Sequence, residues 1–158
     1  MEEKEVVSYD FDGVLHKDMY YTSDGQGHPH SHTKTKLKPI KMMLNKFNKD
    51  KDKYDVHIIT HRRKKSRKLI YEFLKNNKIY LPYKKIHTIG PNKNKSYTIK
   101  KIKSKKHYED SVNVLRDIRS KNKNVDLVLI NTKHHLSCKK KKINTKKMGL
   151  RIKYNMVL

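Results

Sequence analysis

Short apolar runs alternate along this chain with longer stretches whose apolar residues recur at helical spacing. That alternation predicts strands and helices in turn. Val6 and Val7 open a short β-branched run that leads into Asp10, Asp12 and Gly13. It reads as a buried strand, with the glycine letting the chain turn at the strand's C-terminal edge. Pro39 stands where proline fits the first turn of a helix. Ile40, Met43, Leu44 and Phe47 follow at one-face spacing, and the polar stretch Asn48–Lys53 is expected to end that helix. Asp55–Thr60 is a second apolar strand, running into His61 and Arg62. Ser66–Leu74 reads as a helix burying Leu69, Ile70, Phe73 and Leu74, stopped by Asn76 and Asn77. Tyr83–Ile89 reads as a third strand entering the Gly90-Pro91 turn, with a helix from about Lys95.

His107–Ser111 marks a short fourth strand starting near Lys106, because Lys103–Lys106 is basic rather than apolar. Val112, Val114, Leu115 and Ile118 place a helix after it, and Asn124–Asn131 is a continuous β-branched strand. Alternation at Ile152, Tyr154 and Met156 suggests a final edge strand. The predicted class is therefore α/β, a three-layer Rossmann-like fold with a mostly parallel sheet. A core over residues 1–131 is followed by a basic segment, 132–158, that holds the Lys139–Lys142 run. Between the first strand and first helix, residues 16–37 carry a strand signal at Met19–Thr22 and an Asp24-Gly25 hairpin signal. His28, His30 and His32 lie there on alternate positions. They share a face if extended, which suits a metal, yet Pro29 breaks a regular strand and a solvated loop fits equally.

Composition narrows this picture. At 158 residues the chain suits one domain with its own core, although an apolar fraction of 34% makes that core lean. Cys138 is the one cysteine, so no internal disulfide forms, which suits a reducing intracellular or cytoplasmic setting, host cytoplasm included if the source is viral. No apolar run is long enough for a membrane span, and the first residues lack a secretory pattern. A net charge of +25 points to a polyanionic partner such as nucleic acid. The basic residues are 34 lysines and 6 arginines, however. Selection for bidentate phosphate contacts favours arginine, so codon bias accounts for the charge as readily.

The chemistry concentrates at Asp10 and Asp12. Two acids so close at one strand edge repel each other, and a hard cation such as Mg²⁺, which takes oxygen ligands and retains water, removes the conflict. Asp10-Phe11-Asp12-Gly13-Val14-Leu15 resembles the first motif, DxDGxL, of the haloacid-dehalogenase-like (HAD) phosphohydrolases. The resemblance implies that Asp10 is a nucleophile forming an aspartyl phosphate and that Asp12 is the general acid and base. Thr60, ending the second strand, resembles the family's second motif and would hold a phosphoryl oxygen. The family often has glycine after this threonine, where the chain has His61. Lys95, with Lys93 as second choice, resembles the lysine of the third motif. Glu109-Asp110 resembles the acidic fourth motif. The implied Mg²⁺ ligands are Asp10, the backbone carbonyl of Asp12, and Asp110, with Glu109 acting directly or through water. Gly13, His61 and Arg62 are candidate substrate contacts.

Larger members of that family insert a cap domain after the first motif. Residues 16–37 are too short for one, so the resemblance implies a minimal-cap protein with a small β-hairpin flap over an open site. An open site suits a large substrate. The expected function is Mg²⁺-dependent phosphomonoester hydrolysis by a monomer, acting on phosphorylated DNA or RNA ends. The alternatives are a nucleotide or small-molecule phosphatase, and a non-catalytic nucleic-acid-binding protein on the same scaffold.

Overall fold

The structure, a computed structural model, describes residues 2–17, 37–132 and 149–156. Most of the expected flap, including Met19–Thr22, Asp24-Gly25 and the three histidines, lies outside the described residues, as do Cys138 and Lys139–Lys142. Six strands are described: β1 (Val6–Tyr9), β2 (Asp55–Thr60), β3 (Ile86–Thr88), β4 (Lys106–Glu109), β5 (Asp126–Thr132) and β6 (Leu150–Met156). They form one sheet in the order β3-β2-β1-β4-β5-β6, and every pairing is parallel. Among the described residues four α-helices link the strands from β1 to β5: α1 (Lys41–Lys53), α2 (Arg67–Asn76), α3 (Lys95–Lys101) and α4 (Val112–Lys121).

Period-2 alternation sends neighbouring strand residues to opposite faces. Val7, Tyr9, Val56, Ile58, Tyr108, Val128 and Ile130 pack against Met43, Leu44 and Phe47 of α1 and Ile70, Phe73 and Leu74 of α2. Ile59, Leu127 and Leu129 turn the other way, onto Ile99 of α3 and Leu115 and Ile118 of α4. The result is an α/β three-layer architecture. The chain winds outward from β1 to β3, then crosses back to β4 on the other side of β1. The connections after β1 and β4 therefore diverge, and the crevice between them lies at the C-terminal strand edge, where open α/β sheets bind ligands.

Four local expectations are corrected. Asn48–Lys53 is not a turn but the last part of α1. Its polarity suits an outer face, and Asp50, flanked by Lys46, is drawn inward to accept the Tyr9 hydroxyl. Leu69 does not join the buried stripe and is 47% exposed; the inward arc of α2 is Ile70, Phe73 and Leu74. Tyr83–Lys85 is a single 3₁₀ turn after Pro82, closed by Lys85 N–H to the Pro82 carbonyl, which leaves only Ile86–Thr88 as strand. Helix α1 also begins two residues beyond Pro39.

The two ends of the 16–37 segment lie side by side. Lys17 N–H donates to the Lys38 carbonyl at 2.8 Å, and Ile40 N–H donates to the Leu15 carbonyl at 2.9 Å.

Candidate active site

The adjacent central strands β1 and β4 are in register from Val7 and Lys106 to Tyr9 and Tyr108. Asp10 N–H extends the ladder to the Tyr108 carbonyl at 2.9 Å. Asp10 and Glu109 thus emerge side by side on the α3/α4 face, with Asp110 one residue on. One carboxylate oxygen from each of Asp10, Glu109 and Asp110 lies within 4.8 Å of the others.

Lys95 closes this cluster. Asn94 caps α3, its side chain accepting the Ser96 N–H at 2.9 Å, and so sets Lys95 as the first helical residue. Its ammonium donates to Asp10 Oδ1 at 2.7 Å and to Glu109 Oε2 at 2.6 Å, and the residue is only 2% exposed. Lys93, the other candidate cation, instead offers its backbone carbonyl to His61 Nε2 at 3.0 Å.

Glu109 is the most heavily engaged of the three acids. Besides Lys95, His107 Nε2 lies 3.3 Å from its Oε2, and the backbone N–H groups of Asp110 and Ser111 each donate to Oε1 at 3.2 Å. The Ser111 side chain caps α4 through Val114 N–H. Behind Glu109, His107 Nδ1 bonds Ser8 Oγ at 2.8 Å, and Ser8 Oγ bonds Ser104 Oγ at 2.8 Å, all buried. His107 and Ser8 were not singled out from the sequence. Each stands two residues before an acid already chosen, which on a strand means the same face.

Burial, then the charge of Glu109, pushes the Asp10 carboxyl well above the usual range, with Lys95 pulling it back. Asp110 is raised by burial and then by Glu109 and Asp10. Glu109 goes the other way: burial opposes its ionisation, but Lys95 and then His107 hold it well below. Lys95 is raised against its own burial by Asp10 and Glu109. Lys95 thus keeps Glu109 ionised, while Asp10 and Asp110, crowded against that charge, are driven toward the neutral form. All the donors are carboxylate oxygens, the hard set that Mg²⁺ takes, so the residues present fit that ion.

Asp12 lies apart from this cluster. Arg62 grips it with Nε at 2.9 Å from Oδ2 and Nη2 at 2.7 Å from Oδ1, and His16 Nε2 lies 3.1 Å from Oδ1. Against the effect of burial, these contacts bring the Asp12 carboxyl down to about 2. Gly13 has φ +76°, and a Cβ built there would stand 2.1 Å from Asp110 Oδ2. The glycine is required both for its left-handed backbone and for the approach of Asp110. Thr60 is buried at the end of β2, where its Oγ1 accepts the Arg62 N–H at 3.2 Å. That bond fixes the turn which aims Arg62 at Asp12. His61 lines, with Lys93, Lys95 and Asn113, a cleft of about 360 Å³.

Asp10, Lys95, Glu109 and Asp110 therefore meet at one strand edge, while Asp12 stands beside them with Arg62 and His16. Among the described residues no helix is long and apolar enough to cross a membrane. The chain matches no family model, and comparison with curated proteins and with solved structures finds no match.

Proposed function

We propose that this chain is a Mg²⁺-dependent phosphomonoester hydrolase, as the resemblance to the haloacid-dehalogenase-like phosphohydrolases implies, with phosphorylated nucleic-acid ends as substrate. The observation that carries the reading is Lys95, buried between Asp10 and Glu109 with Asp110 in the same cluster. A buried cation and three acids at the tips of two central strands cost folding energy that a hydrophobic cluster would not. Such arrangements concentrate at functional sites.

In the proposed reaction an Asp10 oxygen attacks phosphorus, the bond from phosphorus to the ester oxygen breaks, and Asp12 protonates that oxygen as it leaves. Water then attacks the phosphoryl-Asp10, gives a proton to Asp12 and releases phosphate. Lys95 holds the nucleophile in place and screens it from the incoming anion. Mg²⁺, held by Asp10 and Asp110, would neutralise phosphoryl charge. Glu109, already accepting four contacts, serves to orient Lys95.

Arg62 has two tasks in this scheme. With its guanidinium on Asp12, that residue is a carboxylate and a poor acid. An incoming phosphate offers Arg62 an equally good bidentate partner. Transfer of Arg62 to the phosphate releases Asp12 to take up the proton it must donate. Hydrolysis of p-nitrophenyl phosphate, with and without Mg²⁺, by wild type and Asp10→Asn tests the scheme. Metal-dependent turnover that falls by about 10⁴-fold or more in the variant is expected. Equal activity in both proteins would end the enzyme reading.

A further inference from the structure

A second hollow, of about 560 Å³, opens between α2 and α3 beside edge strand β3. Its lining includes Arg67, His87, Thr88, Lys93, Tyr97 and Lys101, and no carboxylate. It shares Lys93 and Asn94 with the cleft that reaches Lys95, so the two form one continuous surface. Two buried polar atoms of its lining, Arg67 Nε and Thr88 Oγ1, have no hydrogen-bond partner. The Arg67 guanidinium stands over the Tyr83 ring at 5.3 Å, which positions the cation without neutralising it. Tyr97, on α3 across the hollow from Arg67, is 73% exposed.

Lys95 and Lys101 are separated by about 9 Å along the α3 axis. One phosphoryl group seated against Lys95 cannot also satisfy Lys101 and Arg67. A substrate filling both places carries a second anion, and an exposed aromatic ring beside that anion offers a stacking surface.

We propose that this hollow binds an internal backbone phosphate of a single-stranded nucleic acid whose terminal phosphate lies at Asp10. Arg67 and Lys101 donate to the phosphodiester oxygens, and an adjacent base stacks on Tyr97. This rests on the phosphatase reading for the polarity of the strand, but the hollow can be tested without turnover. The experiment is fluorescence anisotropy of the full-length Asp10→Asn chain with labelled hexathymidylate carrying a terminal phosphate. Labelled thymidine monophosphate and an acidic phosphopeptide serve as comparison ligands.

Adding Arg67→Ala and Lys101→Ala together should weaken the hexanucleotide about tenfold and the mononucleotide less than about twofold. The slope of log affinity against log salt should fall by about 0.7, the one backbone phosphate that the two cations share on a single strand. Tyr97→Ala should weaken the hexanucleotide about fivefold or more, the loss of one stacked base. Lys49→Ala with Lys53→Ala, which removes equal charge from the exposed side of α1, should change little. Equal losses in that control, or for the mononucleotide, would overturn the site, as would a loss confined to the phosphopeptide. Absence of phosphate release by the wild-type chain would instead remove the phosphatase reading alone, because anisotropy reads the hollow directly.

Discussion

The face of the sheet under α1 and α2 and the face under α3 and α4 are made by the same strands, yet their centres differ. Under α1 and α2 the middle is aromatic. Tyr9 stacks on Tyr108 with ring centroids 4.3 Å apart and meets Phe47 edge-on at 5.1 Å, and Phe11 meets Phe73 edge-on. The opposite face keeps its apolar residues toward β2 and β5, at Ile59, Leu127 and Leu129. At its centre, on β1 and β4, stand Ser8, Asp10, His107 and Glu109, joined by Lys95. One face is packed for stability. The other forgoes apolar burial and fills its middle with bonded polar groups, which buys specificity of arrangement rather than folding energy.

Two substitutions of similar thermodynamic weight separate the faces. Lys95→Met removes the buried cation between Asp10 and Glu109 and should cost about 3–5 kcal/mol. Ile58→Ala, on the aromatic side, should cost about 2–5 kcal/mol through its cavity. Urea unfolding measures both. Turnover per folded molecule should then fall by about 10²–10³ for Lys95→Met and stay within about twofold for Ile58→Ala. Equal activity losses would erase the distinction between the faces.

Gly13→Ala sharpens the boundary of the polar centre. The added carbon overlaps Asp110 and strains a positive-φ position. About 1–2 kcal/mol of stability should be lost, with the Mg²⁺ concentration needed for half-maximal turnover raised about tenfold or more as Asp110 is displaced. A normal metal requirement would show that Asp110 takes no part.

The smallest expected effect concerns histidines at the sheet's edge, away from either centre. His57 Nδ1 and His87 Nε2 lie 2.8 Å apart, and Asp55 and Lys85 flank them. Burial, then His57, Arg67 and Lys101, lowers His87 to about 4, and burial lowers His57 as well. A histidine whose folded pKa lies below its unfolded value contributes stability above the unfolded value, near 6.5. That contribution is lost as pH falls toward the folded value. The melting temperature should therefore drop by a few degrees between pH 7.5 and pH 5, and by less in His87→Gln. An equal drop in both would assign the acid sensitivity elsewhere.

Much of this arrangement was legible in the residues. Alternating apolar runs and helical stripes placed the strands and helices in order, and the acids after β1 and β4 stood where a parallel sheet gathers its ligands. The errors came where tertiary contacts outweigh local pattern. Asn48–Lys53 looks like a turn until Tyr9, far away in sequence, recruits Asp50. Pro82 shortens β3 in a run that otherwise reads as strand. The grip of Arg62 on Asp12 depends on the spacing of β1 and β2 and on the turn held by Thr60, which no local window contains. By contrast, Ser8 and His107 were within reach of period-2 reasoning applied backward from Asp10 and Glu109.

In the proposed reaction Asp10, held by Lys95, becomes covalently phosphorylated. Rapid quenching of the full chain with p-nitrophenyl phosphate and Mg²⁺, then peptide mass mapping, addresses it directly. A hydroxylamine-sensitive phosphoryl group is expected on the peptide that carries Asp10, and none on the Asp10→Asn chain. Sustained turnover with the phosphoryl group on another residue would contradict the proposed reaction.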